Sequence, residues 1–176
     1  MMESTGIGTR RAASAVITGF WLALVQVSLA FALVAGAGAS ALLFFALTGI
    51  WLGGGALGGW LVRGRAVTVL LAAALIAATG ARLLLFVFPF SNFATVTGLI
   101  AGGLCGAYAA AFLAERSAAW GNPRAVLLHE NNGFVLGWIA GAVVLILSAN
   151  VLAVLALALG AGLLAARMAR PVPGRA

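Results

Sequence analysis

The sequence predicts an all-α, polytopic membrane protein with six transmembrane helices and both termini in the cytoplasm. Two features of composition point to a membrane protein: 64% of the 176 residues are hydrophobic and only 7% are charged. Soluble domains carry about 25% charged residues to cover their surface. The third feature is that apolar runs long enough to cross a bilayer, which takes about 20 residues, recur along the chain between short polar turns.

The turns divide the apolar sequence into six segments. The predicted spans cover residues 14–35, 41–62, 66–88, 93–114, 133–147 and 151–166. Residues 1–13 are expected to form a cytoplasmic N-terminus, residues 117–132 a wetter loop, and residues 167–176 a disordered cytoplasmic tail. The turn at residues 148–150 is so short that the last two spans can also be read as one long kinked segment.

The basic residues determine the predicted orientation. All ten are arginine, and in a six-span arrangement with the N-terminus inside, every arginine except Arg82 falls on the cytoplasmic side, as the positive-inside rule requires. Because they occur in ones and twos between apolar runs, the net charge of +7 predicts membrane orientation rather than a nucleic-acid partner. An arginine-only basic set, with Gly, Ala and Leu dominant, favours a multi-pass protein of the inner (cytoplasmic) membrane of a prokaryote.

The sequence lacks the residues that several classes of chemistry need. The single cysteine, Cys105, excludes a disulfide framework and a cysteine-based metal site. Aspartate is absent, and no nucleophile–base set, histidine pair or phosphate-binding loop occurs. We therefore predict no enzyme activity, no catalytic residues, no metal and no cofactor. The predicted spans also contain no glutamate, which favours a facilitator over a proton-driven pump.

Glycines are concentrated in the second and fifth spans. Gly54 and Gly58 belong to the run 53–59, and Gly133, Gly137 and Gly141 are spaced four residues apart, so they share one helix face. Such faces let helix backbones approach closely. Two interpretations stay open: the glycines hold the bundle together, or they form a surface on which helices slide or a second subunit docks.

The segment Gly58-Gly59-Trp60-Leu61-Val62-Arg63-Gly64-Arg65 resembles the signature turn G-x-x-x-D-R-x-G-R-R of the major facilitator superfamily. Ala114-Glu115-Arg116, followed by Arg124 and the glycine-rich fifth span, is similar to that superfamily's fourth–fifth connection. Val62 stands where the family has aspartate, and the turn is one residue shorter.

The resemblance covers nearly the whole chain as a spacing pattern. Carriers of this superfamily contain two six-helix halves, each built from inverted three-helix repeats. The resemblance therefore implies one half, which works as a homodimer or with a second half-size membrane partner docked through the second and fifth spans.

Polar and aromatic residues inside the spans are candidates to contact a solute. Gln26 lies near the middle of the first span, a position that faces the central cavity in the resembled family, and it can equally bond to a neighbouring helix. Arg82 either reaches to the headgroups or faces a cavity, where it would attract an anionic group. Tyr108 and Trp21 complete the predicted substrate-binding set, with ordinary packing as their alternative.

A second set of residues is predicted for gating or subunit contact at the cytoplasmic end. Glu130 is expected either to cap the N-terminus of the fifth helix or to pair with Arg63 or Arg65. Trp60, Trp120 and Trp138 are expected to anchor the inner interface. The full gating and interface set is Gly54, Gly58, Arg63, Arg65, Glu115, Arg116, Glu130, Gly133, Gly137 and Gly141.

These residues predict a half-size, major-facilitator-like transporter that works as a dimer in the lipid bilayer. It would move a small solute through a cavity at the subunit interface. The alternative is a non-transporting membrane subunit that anchors or assembles a larger complex, in which the polar residues only join helices. Water at Gln26 and Tyr108 would favour the first function, and dry packing the second.

Overall fold

The computed structural model describes residues 3–38, 40–61 and 63–169, and these residues form six α-helices. The helices are α1 (Glu3–Ala37), α2 (Ala41–Leu61), α3 (Arg65–Val87), α4 (Asn92–Trp120), α5 (Pro123–Leu147) and α6 (Ala149–Met168). Each contains a stretch long and apolar enough to cross a membrane. The predicted all-α class with six helices of spanning length is confirmed, and it indicates a multi-pass membrane protein.

Polar caps and glycines define the helix ends. The Asn122 side chain accepts a hydrogen bond from the backbone N–H of Ala125 (3.1 Å) at the start of α5, and Pro123 occupies its first position, where a missing N–H costs nothing. Ser148 ends α5, and its hydroxyl accepts from the N–H of Val151 (3.4 Å). This cap separates α5 from α6, so the single-kinked-segment interpretation is wrong.

The polar stretch between the fourth and fifth spans is helical, which corrects the predicted loop at residues 117–132. α4 continues to Trp120, α5 begins at Pro123, and only Gly121 and Asn122 lie between them. Gly121 has the left-handed φ of 66° that ends many helices. The prediction followed polarity, whereas the stop and start signals are confined to these two residues and Pro123.

Both ends of the helical domain are also longer than predicted. α1 begins at Glu3, so residues 3–13 are helical, and α6 continues to Met168, so Arg167 belongs to a helix instead of a disordered tail. Residues 170–176 of the predicted tail, including Arg170 and Arg175, lie outside the described residues, as does Val62 of the resembled signature turn.

Two central helices organise the bundle. α1 packs most extensively against α5, and α4 packs most extensively against α2. The next largest contacts are those of α3 with α4 and of α6 with α1. If α1, α2 and α3 are exchanged for α4, α5 and α6, the α1–α5 contact becomes the α4–α2 contact, and the α3–α4 contact becomes the α6–α1 contact. Because one to four residues join consecutive helices, neighbours in sequence run antiparallel, so the two triplets are inverted relative to each other. The four largest contacts are those expected of an inverted repeat, whereas the α1–α3 and α5–α6 contacts have no counterpart, among the described residues, between α4 and α6 or between α2 and α3.

Glycines lie at the closest points of both major helix pairs. A Cβ on Gly133 of α5 would overlap the carbonyl oxygen of Val16 on α1, and one on Gly137 would overlap that of Phe20. In the α2–α4 pair, a Cβ on Gly54 would overlap the carbonyl oxygen of Gly103. Only glycine allows these backbones to touch.

These contacts show which helix each of the predicted glycine faces packs against. Gly54 and Gly58 face α4, and Gly133, Gly137 and Gly141 face α1 of the same chain. The hypothesis that these glycines form the contact with a second subunit is therefore wrong, because the chain's own helices already occupy that space. A partner would have to dock on other faces of α2 and α5.

Candidate functional site

Two cavities lie along the contact between α1 and α6, at opposite ends of the bundle. The larger, which we call the Arg82 cavity, has a volume of about 620 Å³ and is lined by residues 25–36 of α1, 75–89 of α3 and its C-terminal turn, and 149–157 of α6. Its walls are mainly apolar, with Arg82, Ser28, Thr79 and Asn150 as the polar exceptions. No acidic side chain is among the lining residues.

Arg82 is held at the wall of this cavity by neutral acceptors. One guanidinium nitrogen donates to the hydroxyl of Ser28 (3.0 Å), and the other donates to the backbone carbonyl of Ala149 (2.8 Å) and the side-chain oxygen of Asn150 (3.5 Å). These bonds join α3 to α1 and to the start of α6. They fix the guanidinium in place and leave its positive charge uncompensated by any of these partners.

The smaller cavity, which we call the Arg167 cavity, has a volume of about 260 Å³. It is lined by residues 13–18 of α1, 108–116 of α4 and 163–167 of α6. Its polar lining consists of two guanidinium groups, from Arg116 and Arg167, and hydroxyls that include those of Tyr108 and Thr18. Arg116 also stacks on the Phe112 ring, with its guanidinium carbon 5.5 Å from the ring centre.

Arg167 joins three helices at this end of the bundle. It forms an ion pair with Glu115 of α4, and its Nε donates to the hydroxyl of Thr68 on α3 (3.4 Å). Only 9% of the Arg167 side chain is exposed, compared with 30% of the Glu115 side chain. Glu115 therefore takes part in a contact between helices of one chain, with Arg167, which was not among the predicted residues; a gating or subunit-contact role for Glu115 and Arg116 stays a prediction.

Trp21 and the side chains packed around it lie between the two cavities, and we call them the Trp21 layer. The Trp21 indole packs edge-on against Tyr108, with ring centres 5.6 Å apart and planes at 79°. Its Nε1 donates to the backbone carbonyl of Ala156 on α6 (3.0 Å). Gly160 leaves room for the ring, since a Cβ there would lie 2.6 Å from Trp21 Nε1.

The order of residues along α1 and α6 gives the thickness of this layer. On α1, Trp21 lies three residues from Thr18 of the Arg167 cavity and four residues from Val25 of the Arg82 cavity. At 1.5 Å per residue these separations are about 4.5 and 6 Å along the axis. Thr18 and Val25, which line the two cavities, are therefore about 10.5 Å apart along α1, and Trp21 lies between them.

Comparison with protein-family models, with curated proteins and with solved structures finds no match to this chain. The functional argument therefore depends on the residues and the geometry described above.

The predicted substrate-binding residues do not share one cavity. Arg82 lines the larger cavity, Tyr108 lines the smaller one, and Trp21 lies between them. Gln26 lines neither cavity, and its side-chain oxygen accepts a hydrogen bond from the indole of Trp138 on α5 (3.3 Å). The interpretation of Gln26 as a helix–helix contact is the one that this bond favours.

Three predictions for the arginine-rich end of the bundle require correction. Glu130 is the eighth residue of α5, too far from its start to cap it. Among the described residues the only ion pair is Glu115–Arg167, so Glu130 pairs with neither Arg63 nor Arg65 there; Arg63 donates instead to the carbonyl of Gly59 (2.6 Å). Trp138 lies about 22 Å from the start of α5, near the level of Gln26, because the helix begins ten residues earlier than the predicted Gly133.

Arg167, Gly160 and Ala156 were missed by the sequence analysis. All three lie on one face of α6, at spacings of four and seven residues that return to the same side of a helix. That periodicity, continued through the end of the apolar run, is the signal that could have placed Arg167 inside the bundle. Within the described residues, no group of three or more His, Cys, Asp or Glu side chains is placed to hold a metal ion.

Proposed function

We propose that this chain is a half-size membrane transporter whose solute passes along the α1–α6 contact, between the Arg82 and Arg167 cavities. The observation that carries the proposal is the pair of cavities at opposite ends of one helix contact, with the Trp21 layer between them. A carrier needs a binding space reachable from each side and a thin barrier that opens on only one side at a time. The inverted contact pattern of the two triplets is typical of such carriers.

The helix contacts indicate which element moves in this proposal. Backbone-to-backbone contact at glycines ties α1 to α5 and α4 to α2, so each pair behaves as a rigid unit. α6 contacts α1, α3 and α5 less extensively, and it provides both Ala156 and Gly160 at the Trp21 layer. A shift of α6 relative to α1 would break the Trp21–Ala156 hydrogen bond and open the barrier.

The proposed pathway lies within one chain, which changes the role of a second subunit. α1 is the most buried of the described spans, with 67% of its apolar stretch buried inside the chain, so no partner is needed to cover it. A homodimer or a pair with another half-size protein would contain two parallel pathways. The mass of the protein in nanodiscs decides between one chain and two.

We also propose the orientation and the location in the cell. Because the helices alternate in direction, Arg63, Arg65, Arg116, Arg124 and Arg167 share one end of the bundle, and Arg82 lies towards the other. The positive-inside rule assigns the arginine-rich end to the cytoplasm. The membrane is then the cytoplasmic membrane of a prokaryote, with the Arg82 cavity facing outwards.

Cysteine accessibility tests the pathway and the orientation together. In a Cys105→Ala background, Ala153→Cys places a thiol in the Arg82 cavity and Ala166→Cys places one in the Arg167 cavity. We expect a membrane-impermeant maleimide to label Cys at 153 from outside and Cys at 166 from inside. Ala161→Cys is the matched control, because this exposed position on α6 lines neither cavity and faces lipid in the proposal. Absence of labelling at both cavity positions would contradict the proposed pathway.

The alternative function, a non-transporting subunit of a larger complex, is favoured by one observation. Trp21 and Tyr108 are almost completely buried, at 0% and 1% exposure, as they would be in a permanently packed core. Truncating the barrier distinguishes the two functions. Trp21→Ala should increase solute flux through proteoliposomes if the cavities form a pathway, whereas a packed subunit would lose stability without gaining flux.

A further inference from the structure

We propose that the Arg82 cavity is a binding site for a short-chain carboxylate, an organic anion with one carboxylate head and an apolar tail of a few carbon atoms. The head would lie against the Arg82 guanidinium, and the tail would occupy the apolar part of the cavity towards the Trp21 layer. The binding site is inferred from this cavity and its charge. The further statement that the same anion is the transported solute rests on the proposed function.

The first observation is that the chain supplies no acid to balance Arg82. The three hydrogen bonds of its guanidinium go to neutral oxygens, and no acidic side chain lines the cavity. The chain contains three acidic residues, and Glu3, Glu115 and Glu130 all lie towards the end of the bundle that is opposite to Arg82. Charged groups within a membrane are normally paired, so an anion from outside the chain is the partner that this group lacks.

The second observation is a set of unused donors at the wall of the cavity. A guanidinium carries five N–H groups. In Arg82, Nη1 donates one hydrogen bond, to Ser28, and Nη2 donates two, to Ala149 and Asn150, so two N–H groups have no partner among the described residues. The Thr79 hydroxyl, which lies one turn earlier on α3 and also lines the cavity, has no hydrogen bond there either. These donors match the two oxygens of a carboxylate.

The start of α6 adds positive charge at the same place. Ala149 is the first residue of α6, and Ala149, Asn150 and Ala153 line the cavity. The N-terminus of a helix carries a partial positive charge, which stabilises a nearby anion and destabilises a nearby cation. Arg82 therefore lies beside a second positive centre, an arrangement that is unfavourable until an anion joins it.

The length of the cavity indicates the size of the anion. Leu75 lies seven positions before Arg82 on α3, Ala156 lies six positions after Asn150 on α6, and all four residues line the cavity. At 1.5 Å per residue, the cavity continues about 9–10 Å from Arg82 towards the Trp21 layer. A tail of a few carbon atoms fits this length. The acyl chains of a phospholipid cover about 15 Å, half the thickness of the hydrocarbon core, and are too long for it.

Equilibrium binding to the purified full-length protein tests the site without any transport measurement. The protein would be placed in nanodiscs of zwitterionic lipid and titrated by calorimetry with hexanoate, acetate and hexanol, and the heat from empty nanodiscs would be subtracted. Hexanoate represents the whole ligand, acetate its head alone and hexanol its tail without the charge. Because each buried CH₂ group tightens binding about fourfold, we expect saturable hexanoate binding that is at least tenfold tighter than that of acetate or hexanol.

Arg82→Met tests the head of the ligand. We expect it to weaken hexanoate binding about ten- to hundredfold, the range that loss of a charge-assisted hydrogen bond gives. Arg124→Met is the matched control, because this exposed arginine lines neither cavity, and it should leave binding unchanged. Protection of the buried Cys105 thiol from a maleimide confirms that each variant is folded. Hexanoate binding that is absent, unchanged in Arg82→Met or equalled by hexanol would overturn the site.

A second variant keeps the test valid if Arg82→Met does not fold. Ala153→Phe would fill the apolar part of the cavity and leave Arg82 in place. We expect it to remove most of the preference for hexanoate over acetate while acetate binding stays nearly unchanged, a pattern that a loss of folding could not produce. Ala158→Phe is the control, because this exposed position on α6 lines neither cavity. An unchanged preference in Ala153→Phe would overturn the proposal.

The remaining outcomes separate the source of the anion and the two proposals. Thermal stabilisation that depends on Arg82 but requires an anionic phospholipid in the nanodisc, without any response to free hexanoate, identifies a lipid headgroup and overturns the proposal of a short-chain carboxylate. Hexanoate binding without hexanoate flux above that of protein-free vesicles supports the site and contradicts the transport of this anion. Such flux without hexanoate binding at Arg82 overturns the site alone.

Discussion

The indole nitrogen of Trp21 donates a hydrogen bond to the backbone carbonyl of Ala156, across the contact between α1 and α6. The Ala156 carbonyl is part of α6, so it accepts the hydrogen bond from Trp21 in addition to the bond from a backbone N–H of the helix. Ala156 is among the last α6 residues that line the Arg82 cavity, so the bond lies at the boundary between that cavity and the Trp21 layer. Trp21 therefore both closes the proposed pathway and joins the helices whose separation would open it.

The first prediction concerns this bond. Trp21→Phe keeps an aromatic ring in the layer but removes the N–H donor and part of the volume. We expect the free energy of unfolding to fall by about 1–2 kcal/mol, from the lost hydrogen bond and a small cavity. The buried Cys105 thiol provides the measurement, because a thiol-reactive dye labels it only as the protein unfolds on heating.

The control for this prediction is Trp60→Phe, since Trp60 is 77% exposed and lies on α2, outside the core. It should leave the unfolding temperature nearly unchanged. If the two variants unfold at the same temperature, the Trp21–Ala156 bond contributes nothing to stability.

The second prediction concerns the space that Gly160 leaves for the Trp21 ring. Gly160→Ala would bring a methyl group to within 2.6 Å of Trp21 Nε1 and against the Leu75 side chain. Overpacking of this kind costs about 1–3 kcal/mol. We expect a lower unfolding temperature by thiol labelling and a faster small-anion flux in proteoliposomes, because the ring must leave its position.

Gly162 on the same helix provides the matched control, because a Cβ there meets no atom within 4 Å. Gly162→Ala should stabilise the protein by up to about 1 kcal/mol, the difference in helix propensity between the two residues. A loss of stability in Gly162→Ala as large as that in Gly160→Ala would show that the effect comes from the helix and not from the contact with Trp21.

The third prediction compares two adjacent glycines of α2. A Cβ on Gly54 would overlap the backbone carbonyl of Gly103, whereas a Cβ on Gly53 meets no atom within 4 Å. Backbone cannot move aside as a flexible side chain can, so Gly54→Ala must separate α2 from α4. We expect a loss of about 3 kcal/mol, at the upper end of the range for overpacking, and no loss for Gly53→Ala. Thermal unfolding of both variants by thiol labelling measures the difference.

The sequence was sufficient to predict the number of helices and the fold class, because hydrophobic length is a local property. It was insufficient for the ends of α4 and α5, because the polar residues 117–132 follow the composition of a loop while only Gly121, Asn122 and Pro123 carry signals that stop or start a helix. Capping chemistry, rather than polarity, determines where these helices end.

It was harder to predict from the sequence which helix each face contacts and which residues share a cavity. The spacing of Gly133 and Gly137 predicted close packing correctly, but no local pattern states which helix the glycines contact, and the structure places them on α1 instead of on a second subunit. Arg82 and Tyr108 were predicted to share one cavity. Their separation depends on the Trp21 ring between them, which is a long-range contact with α6.

The last prediction concerns Arg82 and the geometry of its bonds. Arg82→Lys keeps the positive charge, but one ammonium group cannot reproduce the planar fork that reaches Ser28, Ala149 and Asn150 at once. Lysine would therefore leave the positive charge less well fixed at the cavity wall, and we expect the apparent affinity for an external small anion to weaken about tenfold, which corresponds to about 1.4 kcal/mol, in a proteoliposome flux assay. Arg65→Lys is the control, because Arg65 is exposed at the opposite end of the bundle. An unchanged affinity in Arg82→Lys would mean that the charge alone attracts the solute, whereas an unchanged affinity in Arg82→Gln as well would remove Arg82 from the proposed pathway.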